Sequence, residues 1–317
     1  MISYFIAALF LIIPLISSAT NGLSIDHYMF SCPFAESMVK NAVFQALNND
    51  PTLAAALLRM HFHDCFIQGC DGSVLIDSTE DNTAEKDSPA NLSLRGFEVI
   101  DDAKKLLEDS CPGIVSCADI LAMAARDSVF FAGGAVYDIP KGRKDGRRSR
   151  IEDTINLPQP SFNASSLIRV FGQHGFSAQE MVALSGGHTL GIARCSSFKN
   201  RLSKFDPTHE VDPSLEPNFA KSLSLRCLAG DNVPVPFDDT PNIFDNDYFA
   251  SVQRGTGLLF SDQALFSSPR TRDLVSLYGS NRALFLFDFQ RAIIKMGVLE
   301  VKEEGEGEVR LNCRRIN

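Results

Sequence analysis

The chain has no tryptophan and only five tyrosines, against 24 phenylalanines. Its aromatic content is therefore mostly apolar core material, and a surface tryptophan is excluded as an electron relay. Positive charge is also short: 30 Lys and Arg stand against 39 Asp and Glu, a formal net charge of −9. That balance argues against nucleic acid as a partner and repels the protein from anionic surfaces at long range. Long apolar runs are missing beyond residues 2–19, ISYFIAALFLIIPLISSA. That run carries no charge and ends in small polar residues, so residues 1–22 are expected to be a signal peptide cut within Ala19–Leu23. It lacks the usual Lys or Arg before the apolar stretch, and a single N-terminal anchor is the rival reading, the run being about the minimum spanning length. Nothing else in the sequence is suited to crossing a membrane. Internal repeats and low-complexity linkers are absent as well, which leaves residues 23–317 as one unit.

Period-two alternation is scarce and helical spacing dominates, so the fold class expected is all-α. Helices are predicted over 32–49, from Pro51 to about Phe66, and over 96–107, 116–131, 162–174, 245–253, 271–278 and 281–296. Ser177 and Glu180 form a capping-box pattern for one more, ending near Gly186-Gly187. Long loops remain at 69–91, 133–160 and 231–246, rich in turn residues and acids, and loops of that length need disulfides or ions to hold them. Eight cysteines in a secreted chain suggest four disulfides. Spacing alone leaves their connectivity open, except that Cys65 and Cys70 can close only a small loop.

Three constellations carry chemistry. On a helix, Arg59 and His63 stand one turn apart and share a face, while His61 points away, which disfavours a chelating His-x-His pair. A neutral imidazole beside a permanent cation suits proton transfer at an oxygen that is gaining negative charge. Taken alone, such a pair is more often an ordinary helix contact. Next, Asp64-Cys-Phe-Ile-Gln-Gly-Cys-Asp-Gly-Ser73 gathers two carboxylates, a hydroxyl and glycine-freed carbonyls in a stapled loop, the oxygen donors that calcium prefers. An acidic, solvated turn is the plain alternative. Third, His188 follows Gly186-Gly187 and suits a metal ligand that a flat cofactor can approach; Asp262 is the candidate acceptor for its other N–H, with a helix cap as the alternative.

The ordered motifs R-M-H-F-H-D-C-F, G-C-D-G-S, R-G-F-E-V-I, C-P-G-I-V-S-C-A-D-I-L, L-S-G-G-H-T-L-G, I-F-D-N, F-S-D-Q and L-N-C-R resemble those of class III (secretory) plant peroxidases, the horseradish peroxidase family. The resemblance covers essentially all of the chain from Leu23. It implies a two-lobed helical fold with haem b between a distal and a proximal lobe, and two calcium ions. Arg59 and His63 would be the catalytic pair, Phe62 the distal shield, and Asn91 the acceptor that orients His63. His188 would ligate the iron, with Asp262 hydrogen-bonded to it and Phe237 packed nearby, while Pro158 would help bind aromatic donors. One calcium would take Asp64, Ile67, Gly69, Asp71 and Ser73, with Glu85 behind them; the other would take Thr189, Asp238 in preference to Asp239, Thr240, Ile243 and Asp245. The implied disulfides are Cys32–Cys111, Cys65–Cys70, Cys117–Cys313 and Cys195–Cys227.

The activity so implied is reduction of hydrogen peroxide to water, with two one-electron oxidations of small phenolic donors. Four residues follow Cys313, too few for a vacuolar extension, so the apoplast or cell wall is the expected location. Of the two sequons, Asn163-Ala-Ser165 is the candidate glycan site, since Asn91 would be buried. The stretch 141–150, KGRKDGRRSR, reads as a solvated basic loop or, more sharply, as a patch for acidic wall polysaccharide. A monomer is expected because no exposed apolar stripe is evident. Competing readings are an intracellular ascorbate-type peroxidase, a haem-free secreted calcium-binding protein, and a zinc hydrolase. The cysteines and apolar leader oppose the first, the set Arg59, His63, His188 and Asp262 the second, and the lack of a third ligand the third.

Overall fold

With so little alternation, helices must bury the apolar residues, and they do. The computed structural model describes residues 22–317. The expected signal peptide therefore lies outside the described residues, apart from its last position. The helices are α1 (Ala35–Asn49), α2 (Leu53–Gln68), α3 (Phe97–Ser110), α4 (Cys117–Phe131), α5 (Ala164–Gln173), α6 (Ala178–Ser185), α7 (Pro217–Cys227), α8 (Asp247–Gln253), α9 (Phe260–Ser267), α10 (Arg272–Ser280) and α11 (Arg282–Met296). The only sheet among the described residues is a two-stranded antiparallel ribbon, β1 (Ile192–Arg194) with β2 (Pro234–Pro236), pairing Ile192 with Pro236. No helix among them is long and apolar enough to cross a membrane.

Helices α1 to α4 pack on one another as one lobe, and α6 with α8 to α11 as the other. Residues of α2 and α4 are buried on nearly every side, which is why both read as apolar all round. The two lobes share one continuous core, and a smaller cluster around Phe198, Leu223 and Val235 sits beneath the ribbon. The segment that follows α6 passes close to its neighbours at two glycines. A methyl on Gly186 would lie 2.8 Å from Phe249 Cζ and closer still to Phe285; one on Gly191, whose φ is +93°, would lie 2.7 Å from Ala55 Cβ.

Helix ends follow local chemistry. Ser116 caps α4 by accepting the Asp119 N–H at 3.1 Å, Asn163 caps α5, and Ser177 with Glu180 completes the anticipated box on α6. Two helices escaped sequence reading. The first, α7, opens on Glu216-Pro217, where the Glu216 carboxylate accepts the N–H groups of Asn218 and Phe219. The second, α9, is short and starts at Phe260, with the Asp262 carboxylate accepting the Leu259 N–H at 3.2 Å. The four disulfides pair Cys32 with Cys111, Cys65 with Cys70, Cys117 with Cys313, and Cys195 with Cys227.

Two sequence readings need correction. The basic stretch 141–150 is not a solvated loop: Lys141 and Arg143 are buried on Glu36 and Asp119, and Lys144, Arg147 and Arg148 pair with Glu304, Glu308 and Asp153. Its charges were counted in sequence without the carboxylates that three-dimensional packing brings to them. Apolar exposure is also less even than expected, since Ile25, Met29, Phe30 and Phe34 all lie open within ten residues.

Because a methyl at Gly186 meets two packed phenyl rings, Gly186→Ala should destabilise the protein by about 1–3 kcal/mol. Gly172→Ala, in open space on α5, should instead be neutral or stabilising by up to about 1 kcal/mol. Denaturant midpoints of the two variants check the pair; equal shifts would contradict the packing account.

Candidate active site

Helix α2 delivers Arg59 and His63 one turn apart, and the loop before α3 closes over them. Arg59 Nε donates to His63 Nε2 at 3.1 Å, Nη1 to Ser93 Oγ at 2.9 Å, and Nη2 to the Ala90 carbonyl at 2.9 Å. On the other ring nitrogen, His63 Nδ1 lies 2.6 Å from Asn91 Oδ1, while Asn91 Nδ2 donates to the Glu85 carbonyl at 2.8 Å. The Glu85 contact fixes which end of the amide faces the ring, so Nδ1 must carry the proton and Nε2 presents its lone pair. Burial, then the positive charge of Arg59, push the His63 pKa down to about 3 against the opposing pull of Asn91. Burial lowers Arg59 to about 10, which leaves it charged at neutral pH. The half-buried Phe62 lies beside His63 and packs on Phe66, centroids 4.3 Å apart.

The second histidine sits in the tight turn Gly186–Thr189 that ends α6. His188 Nδ1 lies 2.8 Å from Asp262 Oδ1, and Asp262 is held in place by the first turn of α9. Ribbon pairing brings Phe237, just after β2, face to face with the imidazole, centroids 4.4 Å apart and planes 3° from parallel. The Asp262 side chain is 3% exposed but that of His188 is 41% exposed, so Nε2 looks into open space with no protein partner among the described residues.

Two clusters of oxygen donors flank these histidines. In the distal one, Asp64 accepts the Gly72 N–H at 3.0 Å and the Val74 N–H at 3.3 Å, Asp71 accepts Ser73 N–H, and Ser73 Oγ lies 3.3 Å from Glu85. Ile67 and Gly69 adjoin them at the end of α2. Burial and the neighbouring carboxylates raise Asp64 to about 8 and Glu85 to about 9. Glu85 Oε1 is buried without a partner. In the proximal cluster, Thr189 Oγ1 lies 2.8 Å from Asp238 and 3.1 Å from Asp245, and Thr240 Oγ1 lies 3.1 Å from Asp245. Ile243, half-exposed, is tied to the Thr240 carbonyl at 2.8 Å. Asp238 is buried and raised to about 6, chiefly by burial, whereas Asp239 is exposed.

A family model described as peroxidase matches residues 39–281. Peroxidase 47 of Arabidopsis thaliana is 64% identical over 296 residues, 93% of this chain and 89% of that protein. Peroxidase 64 of the same plant is 51% identical over 97% of each chain, and Peroxidase 5 of Vitis vinifera is 50% identical over 93% and 92%. The chain belongs to the class III plant peroxidases. It is a peroxidase acting on hydrogen peroxide, of a family whose cofactors are haem and calcium.

This peroxidase has residues that fit both cofactors. His188 offers an unpartnered nitrogen next to two glycines that carry no side chain to obstruct a flat ring. Its distal acids are hard, buried oxygen donors that repel one another unless a cation lies among them. The grouping His61, Cys65 and Cys70 is no metal centre, because both cysteines are in a disulfide and have no thiolate to give. Pro158 follows the turn at 151–156 and no hydrogen bond links it to Arg59, His63 or Asn91. Sequence reading missed Ser93 and Ala90, the anchors of Arg59, and Tyr248, whose hydroxyl reaches Asp262. For Ser93 the signal was its position in the same loop as Asn91; for Tyr248 there was none.

Calcium removal should make stability depend on pH in a defined sense. Carboxyls whose folded pKa lies above the unfolded value bind protons in the folded state, so cation-free stability falls as pH rises from about 4 towards 9. Thermal melts of the chelated peroxidase should drop across that window while those of the calcium-loaded protein stay nearly level. A chelated protein that melts higher at pH 8 than at pH 5 would contradict it.

Proposed function

We propose that this peroxidase works outside the cell, reducing hydrogen peroxide to water while oxidising small phenolic donors in two one-electron steps. Two features carry the reading together: the His63 Nε2 lone pair held beside Arg59 in one lobe, and His188 backed by Asp262 with its outer nitrogen open in the other. Haem held by His188 would take two oxidising equivalents from peroxide and release them one at a time. His63 accepts the proton from one peroxide oxygen and hands it to the other, which leaves as water. Arg59 stabilises the negative charge that grows on that departing oxygen. Phe62 screens the reacting oxygen from donors, and Asn91 keeps His63 in its reactive tautomer. Asp262 raises the electron density of His188 by accepting its Nδ1 proton bond. Donors approach by Pro158, and the lack of tryptophan confines oxidation to molecules small enough to reach the site.

Calcium at Asp64, Ile67, Gly69, Asp71 and Ser73 would hold the loop from which Glu85 fixes Asn91, and calcium at Thr189, Asp238, Thr240, Ile243 and Asp245 would hold the turn bearing His188. Four disulfides suit an oxidising compartment such as the apoplast or cell wall. Asn163 is exposed, and its Oδ1 accepts the Ser166 N–H, which leaves Nδ2 free for a glycan.

Stopped-flow absorbance of the haem- and calcium-loaded protein tests these roles. One equivalent of peroxide should bleach the Soret band, and a phenol should restore it in two stages. His63→Ala should slow the bleaching by about 10²–10⁴-fold, and Asn91→Ala by about 10–100-fold. A Soret band indifferent to peroxide, or equal rates in the variants, would overturn them.

Attraction to acidic wall polysaccharide narrows to the exposed Arg147, Arg148 and Arg150, two of which already face a carboxylate. Replacing all three by Gln should lower the salt needed to elute the protein from immobilised pectate; unchanged elution would rule the contact out.

A further inference from the structure

Tyr248 is one of four tyrosines among the described residues, 1% exposed, and lies on α8 behind the proximal histidine. Its hydroxyl donates to Asp262 Oδ1 at 3.1 Å, the same oxygen that accepts the His188 Nδ1 proton bond at 2.8 Å. The other oxygen, Oδ2, accepts the Leu259 N–H at 3.2 Å. One carboxylate therefore serves three donors, and two of them compete for a single atom. The phenol ring also stands edge-on to the imidazole, centroids 6.0 Å apart at 80°, while Phe237 covers the imidazole face. The hydroxyl is the group of Tyr248 that hydrogen-bonds Asp262, so ring packing and hydrogen bonding can be separated by experiment.

We propose that Tyr248 is a positioning residue that limits how strongly Asp262 draws on His188 and thereby sets the reduction potential of the iron. The proposal rests on His188 being the haem ligand. A carboxylate's charge is shared among the donors bound to it, and each one weakens the pull available to the rest. With the phenol in place, His188 keeps more of its Nδ1 proton and gives less electron density through Nε2. Without it, Asp262 becomes the stronger acceptor, His188 becomes more imidazolate-like, and the oxidised iron is favoured. Tyr248 thus opposes Asp262 in part, and the potential reflects the balance between them.

The test is the ferric/ferrous midpoint of the haem- and calcium-loaded protein, in a cycle of Tyr248→Phe and Asp262→Asn. Tyr248→Phe keeps the ring and should favour the ferric form by about tenfold, about 59 mV more negative for a one-electron couple. In the Asp262→Asn background the same change should have little effect, because the carboxylate that transmits it is gone. No shift, a positive shift, or an equal shift in both backgrounds would overturn the proposal. Should Tyr248→Phe not take up haem, 3-fluorotyrosine in place of tyrosine supplies a more acidic donor. It should move the potential the opposite way, and an unchanged or more negative value would overturn the proposal equally. Failure of the ligand reading looks different: His188→Ala would then keep its Soret band and its potential.

Discussion

The site depends on one hydrogen bond, from His63 Nδ1 to Asn91 Oδ1, because it decides which ring nitrogen is a base. Without a fixed acceptor at Nδ1 the imidazole would divide its time between tautomers, and half of them would aim an N–H at the peroxide. The acceptor is itself fixed, since Asn91 Nδ2 is held by the Glu85 carbonyl and Glu85 is held in the cluster of distal acids. A cation at those acids would therefore reach His63 through three short contacts. This is why the long loop between α2 and α3, which carries no helix longer than a single turn, can still position a side chain accurately.

The two lobes use the same device for opposite ends. Each histidine gives its Nδ1 side to a fixed acceptor; His63 Nε2 accepts from Arg59, and His188 Nε2 has no protein partner among the described residues. In the distal lobe the acceptor is a neutral amide, and a half-buried guanidinium lies beside the ring, so His63 stays neutral and ready to take a proton. In the proximal lobe the acceptor is a buried carboxylate, which enriches the imidazole as an electron donor. Exchanging the two acceptors would spoil both: a carboxylate would hold His63 protonated, and an amide would leave His188 a weaker donor.

Much of this was legible in the sequence, but unevenly. Helical spacing alone puts Arg59 and His63 on one face, and the box at Ser177 and Glu180 marks a helix start without any relative to consult. Asn91, Asp262 and the acids Asp238 and Asp245 lie far from their partners along the chain, so motif order had to supply what periodicity could not. The choice of Asp238 over Asp239 turns on which side chain is buried, a property of packing rather than of either residue. Helices α7 and α9 escaped because they begin at Glu216-Pro217 and Leu259-Phe260, with capping by carboxylates that also read as loop acids. The stretch 141–150 misled for a related reason: five of its six cations pair with Glu36, Asp119, Asp153, Glu304 and Glu308, from four separate stretches of the chain.

Neutron diffraction from deuterated crystals of the resting haem- and calcium-loaded enzyme, grown near neutral pH, tests the account most directly. It should show a deuteron on His63 Nδ1 pointing at Asn91 and none on Nε2. A deuteron on Nε2, alone or together with Nδ1, would mean that the Asn91 contact does not make His63 the base, and the account of the site would fail there.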